Sequence, residues 1–152
     1  MPSFPYARCL TTAVHVIRQP ATQFPMLMYI ELKTGCNDRG PAWIGYVKTS
    51  KSGRTVYFNG KAFKRGGRGC GGNHYDLETG ERYWISGVKR RGTNRHWAGS
   101  GKITIEPAAV DEYLRLIDAH VLDTTRFVVA DTIEPADPSK FHDMENEKFE
   151  GD

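Results

Sequence analysis

The chain contains no apolar run near the ~20 residues that a membrane-spanning helix needs, so no membrane partner is expected. Cysteine is scarce. Cys9, Cys36 and Cys70 are odd in number and irregularly spaced, unlike a secreted disulfide framework, and a reducing, cytoplasmic setting is the expectation. Cofactor signatures are missing too. There is no Gly-x-x-x-x-Gly-Lys-Ser/Thr loop, and no Gly-x-Gly-x-x-Gly between a strand and a helix, so no cofactor is expected. Internal repeats are absent. Acids are absent from the first 27 residues, which hold Arg8, Arg18 and four prolines. That composition fits an organelle transit peptide. The apolar stretch from Cys9 to Ile17 is broken by Thr11, Thr12 and His15, which argues against a secretory signal. The favoured reading starts translation at Met26 or Met28 and leaves 1–27 as a leader outside the fold.

What is present points to short strands. The chain has 152 residues, about one domain, and its 16 glycines fall mostly at turn-like positions. Met28, Ile30 and Leu32 alternate with Tyr29, Glu31 and Lys33, the pattern of a half-buried strand. Further strands are expected over 42–48, 54–58, 61–64, 73–76, 81–89, 95–98 and 101–106. Asn59-Gly60 is a strong hairpin signal, because both residues tolerate positive φ. Pro107 fits a helix start, and Val110, Tyr113, Leu114 and Ile117 then form one apolar stripe. The expectation is a mainly β domain over 28–122: a small barrel or curled antiparallel sheet, with one C-terminal helix capping an end of the sheet. Residues 123–152 read as an acidic, mostly disordered tail, in which Phe127 to Ala130 could form an extra strand or a docked segment.

Charge is divided unevenly. Residues 131–152 hold eight acids and two bases, giving −6. Residues 48–104 hold 13 Lys or Arg against Asp76, Glu78 and Glu81, giving +10. Such a patch attracts polyanions. It mixes cations with rings: Lys48, Lys51, Arg54, Lys61, Lys64, Arg65 and Arg68 stand near Tyr46, Tyr57, Phe58 and Phe63. Arg82, Lys89, Arg90, Arg91 and Arg95 stand near Tyr83, Trp84 and Trp97. Nucleic-acid modules need this mixture, because bases stack on rings while cations meet phosphates. The residues expected to bind are Lys48, Lys51, Arg54, Lys61, Lys64, Arg65, Arg68, Tyr57, Trp84, Lys89, Arg90, Arg91, Arg95 and Trp97. The competing reading makes the rings core and the charges ordinary surface. Val56 and Phe58 fall on one face and Thr55 and Tyr57 on the other, so only one pair is expected outside.

Three other constellations are weaker. Arg65 to Gly72 has five glycines in eight residues. Its amides could converge on an anion, although a simple hairpin connection is the favoured reading. Cys36, Cys70, His74 and His96 could in principle hold zinc, but structural zinc sites use tighter paired spacings, and no metal site is expected. His74 and His96 are candidate acid–base groups, yet no nucleophile with a matched base is visible and no catalytic residue is assigned.

Five segments carry a resemblance: Gly40-Pro41-Ala42-Trp43-Ile44-Gly45, Gly53-Arg54-Thr55-Val56-Tyr57-Phe58-Asn59-Gly60, Gly72-Asn73-His74-Tyr75-Asp76, Tyr83-Trp84-Ile85-Ser86-Gly87-Val88-Lys89 and Arg95-His96-Trp97-Ala98-Gly99-Ser100-Gly101. Together they resemble a family of short, uncharacterised bacterial proteins, over 28–116. Some of these carry the label 1-deoxy-D-xylulose-5-phosphate synthase. A thiamine-diphosphate enzyme needs a far longer chain and a Gly-Asp-Gly motif, and this sequence has neither. The resemblance implies a compact fold and no site residues. The expected role is binding RNA, DNA or another polyanion without catalysis. The alternatives are a protein-interaction accessory module, and a small enzyme using His74 or His96.

Overall fold

Six of the eight strands among the described residues close into an antiparallel barrel. The structure, a computed structural model, describes residues 25–33, 40–67, 71–95, 99–135 and 137–146. The barrel strands are β1 (Met26–Leu32), β2 (Ala42–Thr49), β3 (Thr55–Phe58), β4 (Lys61–Arg65), β5 (His74–Asp76) and β6 (Arg82–Gly87). Neighbours in the chain pair in turn, and β1 meets β2 on one edge and β6 on the other. Asn59 and Gly60 take positive φ between β3 and β4, as the hairpin signal requires. The mainly β barrel with a C-terminal helix is therefore the architecture observed.

Two more strands lie outside the meander. β7 (Ile103–Ile105) and β8 (Phe127–Val129) extend the sheet from the first half of β2, and both pairings are parallel. The sequence had suggested a continuous meander with a strand at 95–98. Among the described residues there is none, and His96 to Ala98 lie outside them. Parallel pairing needs a crossover, and the chain between β6 and β7 supplies it. β2 thus divides one edge, with Ala42–Ile44 against β7 and Lys48–Thr49 against β3.

The core has two layers on either side of the barrel wall. Inside lie Ile30, Val47, Val56, Phe58, Phe63, Tyr83 and Ile85. Outside, Tyr29, Ala42 and Ile44 are covered by β7, β8, the turn Pro107–Ala109 and α1 (Val110–Ile117). The stripe on α1 supplies Tyr113, whose ring lies 5.1 Å from that of Phe127. The helix therefore packs on the outer wall and does not cap an end of the sheet. β1 is buried on both faces, Tyr29 as fully as Ile30, because its outer face gained this second layer. Burying each such side chain contributes about 1.5–3 kcal/mol.

The leader expectation falls mostly on residues 1–24, outside the described set. β1 begins two residues earlier than the alternation suggested, with Met26 opposite Val47. The acidic segment also differs from a mostly disordered tail over its described part. β8 is the extra strand that the sequence allowed over Phe127 to Ala130. Further on, the turn Pro138–Phe141 and α2 (His142–Asn146) lie against the barrel, and Phe141 is fully buried with Tyr57, Ala62 and Leu77. Apolar burial at a few positions outweighs the polar composition around them.

Candidate nucleic-acid interface

Antiparallel order fixes which connections share an end of the barrel. The β2–β3 turn, the β4–β5 connection and the chain leaving β6 emerge at one end; the β1–β2 connection and the β3–β4 and β5–β6 turns emerge at the other. No acid occurs from Arg39 to Tyr75 or from Arg82 to Ile105. The first end therefore receives Lys51 and Arg54, then Lys64 and Arg65, then Lys89, Arg90 and Arg91. All but the half-buried Lys64 are exposed. Arg54 and Arg65 are brought side by side, since the Arg65 amide donates to the Arg54 carbonyl at 2.8 Å. The three acids of 48–104, Asp76, Glu78 and Glu81, fall at the opposite end. On the wall beside β2, Glu106 accepts the Tyr46 amide and Glu112 the Tyr46 hydroxyl, pushing that phenol up to about 12.

One ring stands among these cations on the outer wall. Lys64, Tyr75 and Arg82 are directly opposite one another on β4, β5 and β6, so their side chains share a face. All three are half-buried. Sequence reasoning did not single out Tyr75, because only the β4–β5–β6 register sets it between two cations. In the described part of the glycine-rich connection two carbonyls converge: Gly66 and Gly72 both accept from the Arg82 guanidinium, at 3.2 and 3.3 Å. Glycine is required there. A Cβ on Gly67 would collide with Arg82, and one on Gly72 would sit 2.6 Å from the Tyr83 carbonyl, both at positive φ.

Several expected binding residues are engaged elsewhere. Arg95 is 7 % exposed. It donates to the carbonyls of Gly40, Gly101 and Lys102 and lies 3.6 Å from the buried Glu31 carboxylate, which also accepts from Tyr29 and Lys33. Arg95 therefore pins the crossover segment to β1 and does not reach solvent. Tyr57 is 4 % exposed beneath Phe141, so both faces of β3 are buried, where only one had been expected. Lys61 is committed to Asp76 at 2.9 Å, and Trp84 is half-buried against the outer core layer. Lys48, Lys51, Arg54, Arg65, Lys89, Arg90 and Arg91 stay exposed. Arg68 and Trp97 lie outside the described residues, as do Cys36, Cys70 and His96 of the zinc constellation.

Two ionisable groups sit on β5. His74 is buried, and burial first, then the charge of Arg65, push it down to about 4. Asn73 Oδ1 can only accept, so the contact at 2.8 Å is donated by His74 Nδ1. The same Asn73 amide also exchanges two hydrogen bonds with the backbone of Ile85, standing in for a ladder partner. Burial pushes Asp76 up, but the Lys61 ammonium and the Glu78 amide outweigh it and leave the carboxyl below its usual range. A separate cleft of about 260 Å³ lies between Thr93–Arg95, Gly99–Gly101, Tyr113, Arg126 and Phe127. No helix among the described residues is long and apolar enough to cross a membrane. Comparison of the chain with protein-family models, with curated proteins and with solved structures finds no match.

Proposed function

We propose that this domain binds single-stranded nucleic acid, RNA or DNA, without catalysis, through the basic end of the barrel and the adjoining Lys64–Tyr75–Arg82 wall. One observation carries the reading: the three connections that leave the six barrel strands at that end bring Lys or Arg and no acid. Cations that lack acid partners in their own turns are available to phosphates, and neutralising each phosphate releases condensed counterions. Tyr75 adds a ring on which a base can stack between two cations. The test is fluorescence anisotropy of labelled single strands from ~50 to ~200 mM salt. Tight binding at low salt, falling steeply as salt rises, is the expected result. A flat titration at ~50 mM would remove the reading.

A second reading, a protein-interaction module, rests on β8. It is the last strand of the sheet order, and Val128 and Val129 are 42 % and 50 % exposed. A free strand edge with apolar side chains can accept another strand.

A further inference from the structure

The row next to Thr55–Lys64–Tyr75 on the outer wall is Lys48–Tyr57–Ala62, with Leu77 beyond it. It continues the same surface away from the basic end, and residues 137–146 of this chain lie on it. Their contacts follow the chemistry of the ligand proposed above. The Phe141 ring lies over the Tyr57 ring, with centroids 6.3 Å apart and planes tilted by 34°. The Glu145 carboxylate accepts from the Tyr57 hydroxyl. Asp137 is held as a carboxylate by the Ser139 hydroxyl and amide, with the Lys48 charge adding to their effect. The arm is pinned where it crosses the β3–β4 turn, through the Glu134 amide on Asn59 at 3.0 Å, and again by Lys140 on Glu78 at 3.0 Å. A ring over a ring, flanked by carboxylates, reproduces a base and its phosphates in protein form.

We propose that the Lys48–Tyr57–Ala62 wall is a second stretch of the nucleic-acid-binding surface, and that the acidic arm 137–146 occupies it as an internal stand-in for the strand. The inference rests on the nucleic-acid reading of the basic end. A strand arriving there extends past Tyr75 onto Tyr57 only by displacing the arm. The cations of the basic end provide the initial grip. An arm seated in about nine molecules of ten lowers the apparent affinity of the covered wall on the order of tenfold.

The test compares the full chain with its Phe141→Ala/Glu145→Gln variant for binding oligo(dT) of about 20 nucleotides at ~50 mM salt. The variant should bind about tenfold tighter, and a synthetic 131–146 peptide added in trans should reverse the gain. If the wild-type chain binds and a variant that still melts cooperatively binds no tighter, the inference falls and the function of the basic end stands. If neither binds, both fall. Should the variant not fold, hydrogen exchange on the wild-type chain decides. Saturating oligo(dT) should speed exchange across 137–146 while slowing it in 88–95. Unchanged or slower exchange in the arm overturns the proposal.

Discussion

The two ends of the barrel use charge in opposite ways. At one end Glu31 meets Arg95 and Lys33, Asp76 meets Lys61, and Glu78 meets Lys140. These charges are paired, and all but the Glu31–Lys33 pair join separate segments of chain. At the other end Lys51, Arg54, Lys89, Arg90 and Arg91 have no acid in their own turns. Paired charge shapes a fold, whereas like charge held together raises a potential and repels itself. The same residue type, arginine, therefore serves stability at position 95 and is available for binding at positions 90 and 91.

Substitution should separate these roles. Arg95→Ala leaves Glu31 buried beside Lys33 alone and frees three carbonyls, so a loss of about 3–5 kcal/mol is expected in chemical denaturation. A loss below ~1 kcal/mol would place Arg95 among ordinary surface charges. Reversing Lys89, Arg90 and Arg91 to Glu should do the converse. Binding should weaken, with the salt slope flatter by about two to three units if each meets a phosphate. The melting temperature should hardly move, because exposed charges contribute little to stability.

Acid should reach the two ends at different pH. His74 is neutral when folded, with its pKa lowered from 6.5 to about 4. The unfolded chain binds the extra proton between those values, so stability falls as pH drops through that window, by about 3 kcal/mol in all. Asp76, at the other end, has a lowered pKa. Its contribution is present above the unfolded value of 3.8 and is lost only as pH falls through the lower folded value. Denaturation midpoints between pH 7 and 4 should therefore slope in the wild type and flatten in His74→Gln. Identical slopes would move the titration elsewhere.

The smallest effect concerns rings. Tyr75→Ala should weaken single-strand binding by about 1–3 kcal/mol with little change in melting. Trp84→Ala should instead lower the melting temperature, since its ring packs on the outer core layer. Reversal of that pattern would exchange their roles.

The strands and the β3–β4 hairpin were legible because alternation and Asn59-Gly60 are local signals. The outer layer was not. Nothing in Tyr29 or Tyr57 announces that α1 will cover one and Phe141 the other, and alternation alone leaves each of them facing water. Arg95 and Arg91 are indistinguishable in a charge count, because the Gly40 carbonyl and Glu31 lie 55 and 64 residues from Arg95. The basic end was half legible. Its composition was plain, while its assembly at one pole came from strand direction, and Tyr75 from register.

Closure of the barrel has a kinetic consequence. Around the ring, each strand pairs with one adjacent to it in the chain, except at the β1–β6 seam, where Leu32 meets Tyr83 and Met28 meets Gly87, 51 and 59 residues apart. Bringing those ends together carries the largest loop-closure entropy in the barrel, and contacts so distant in sequence slow folding. The β2–β5 ribbon can assemble from neighbouring hairpins before the seam is made. Arg95, which follows β6 and grips Glu31 on β1, fastens that seam from outside, so it resists the rate at which the ring springs open as well as the equilibrium.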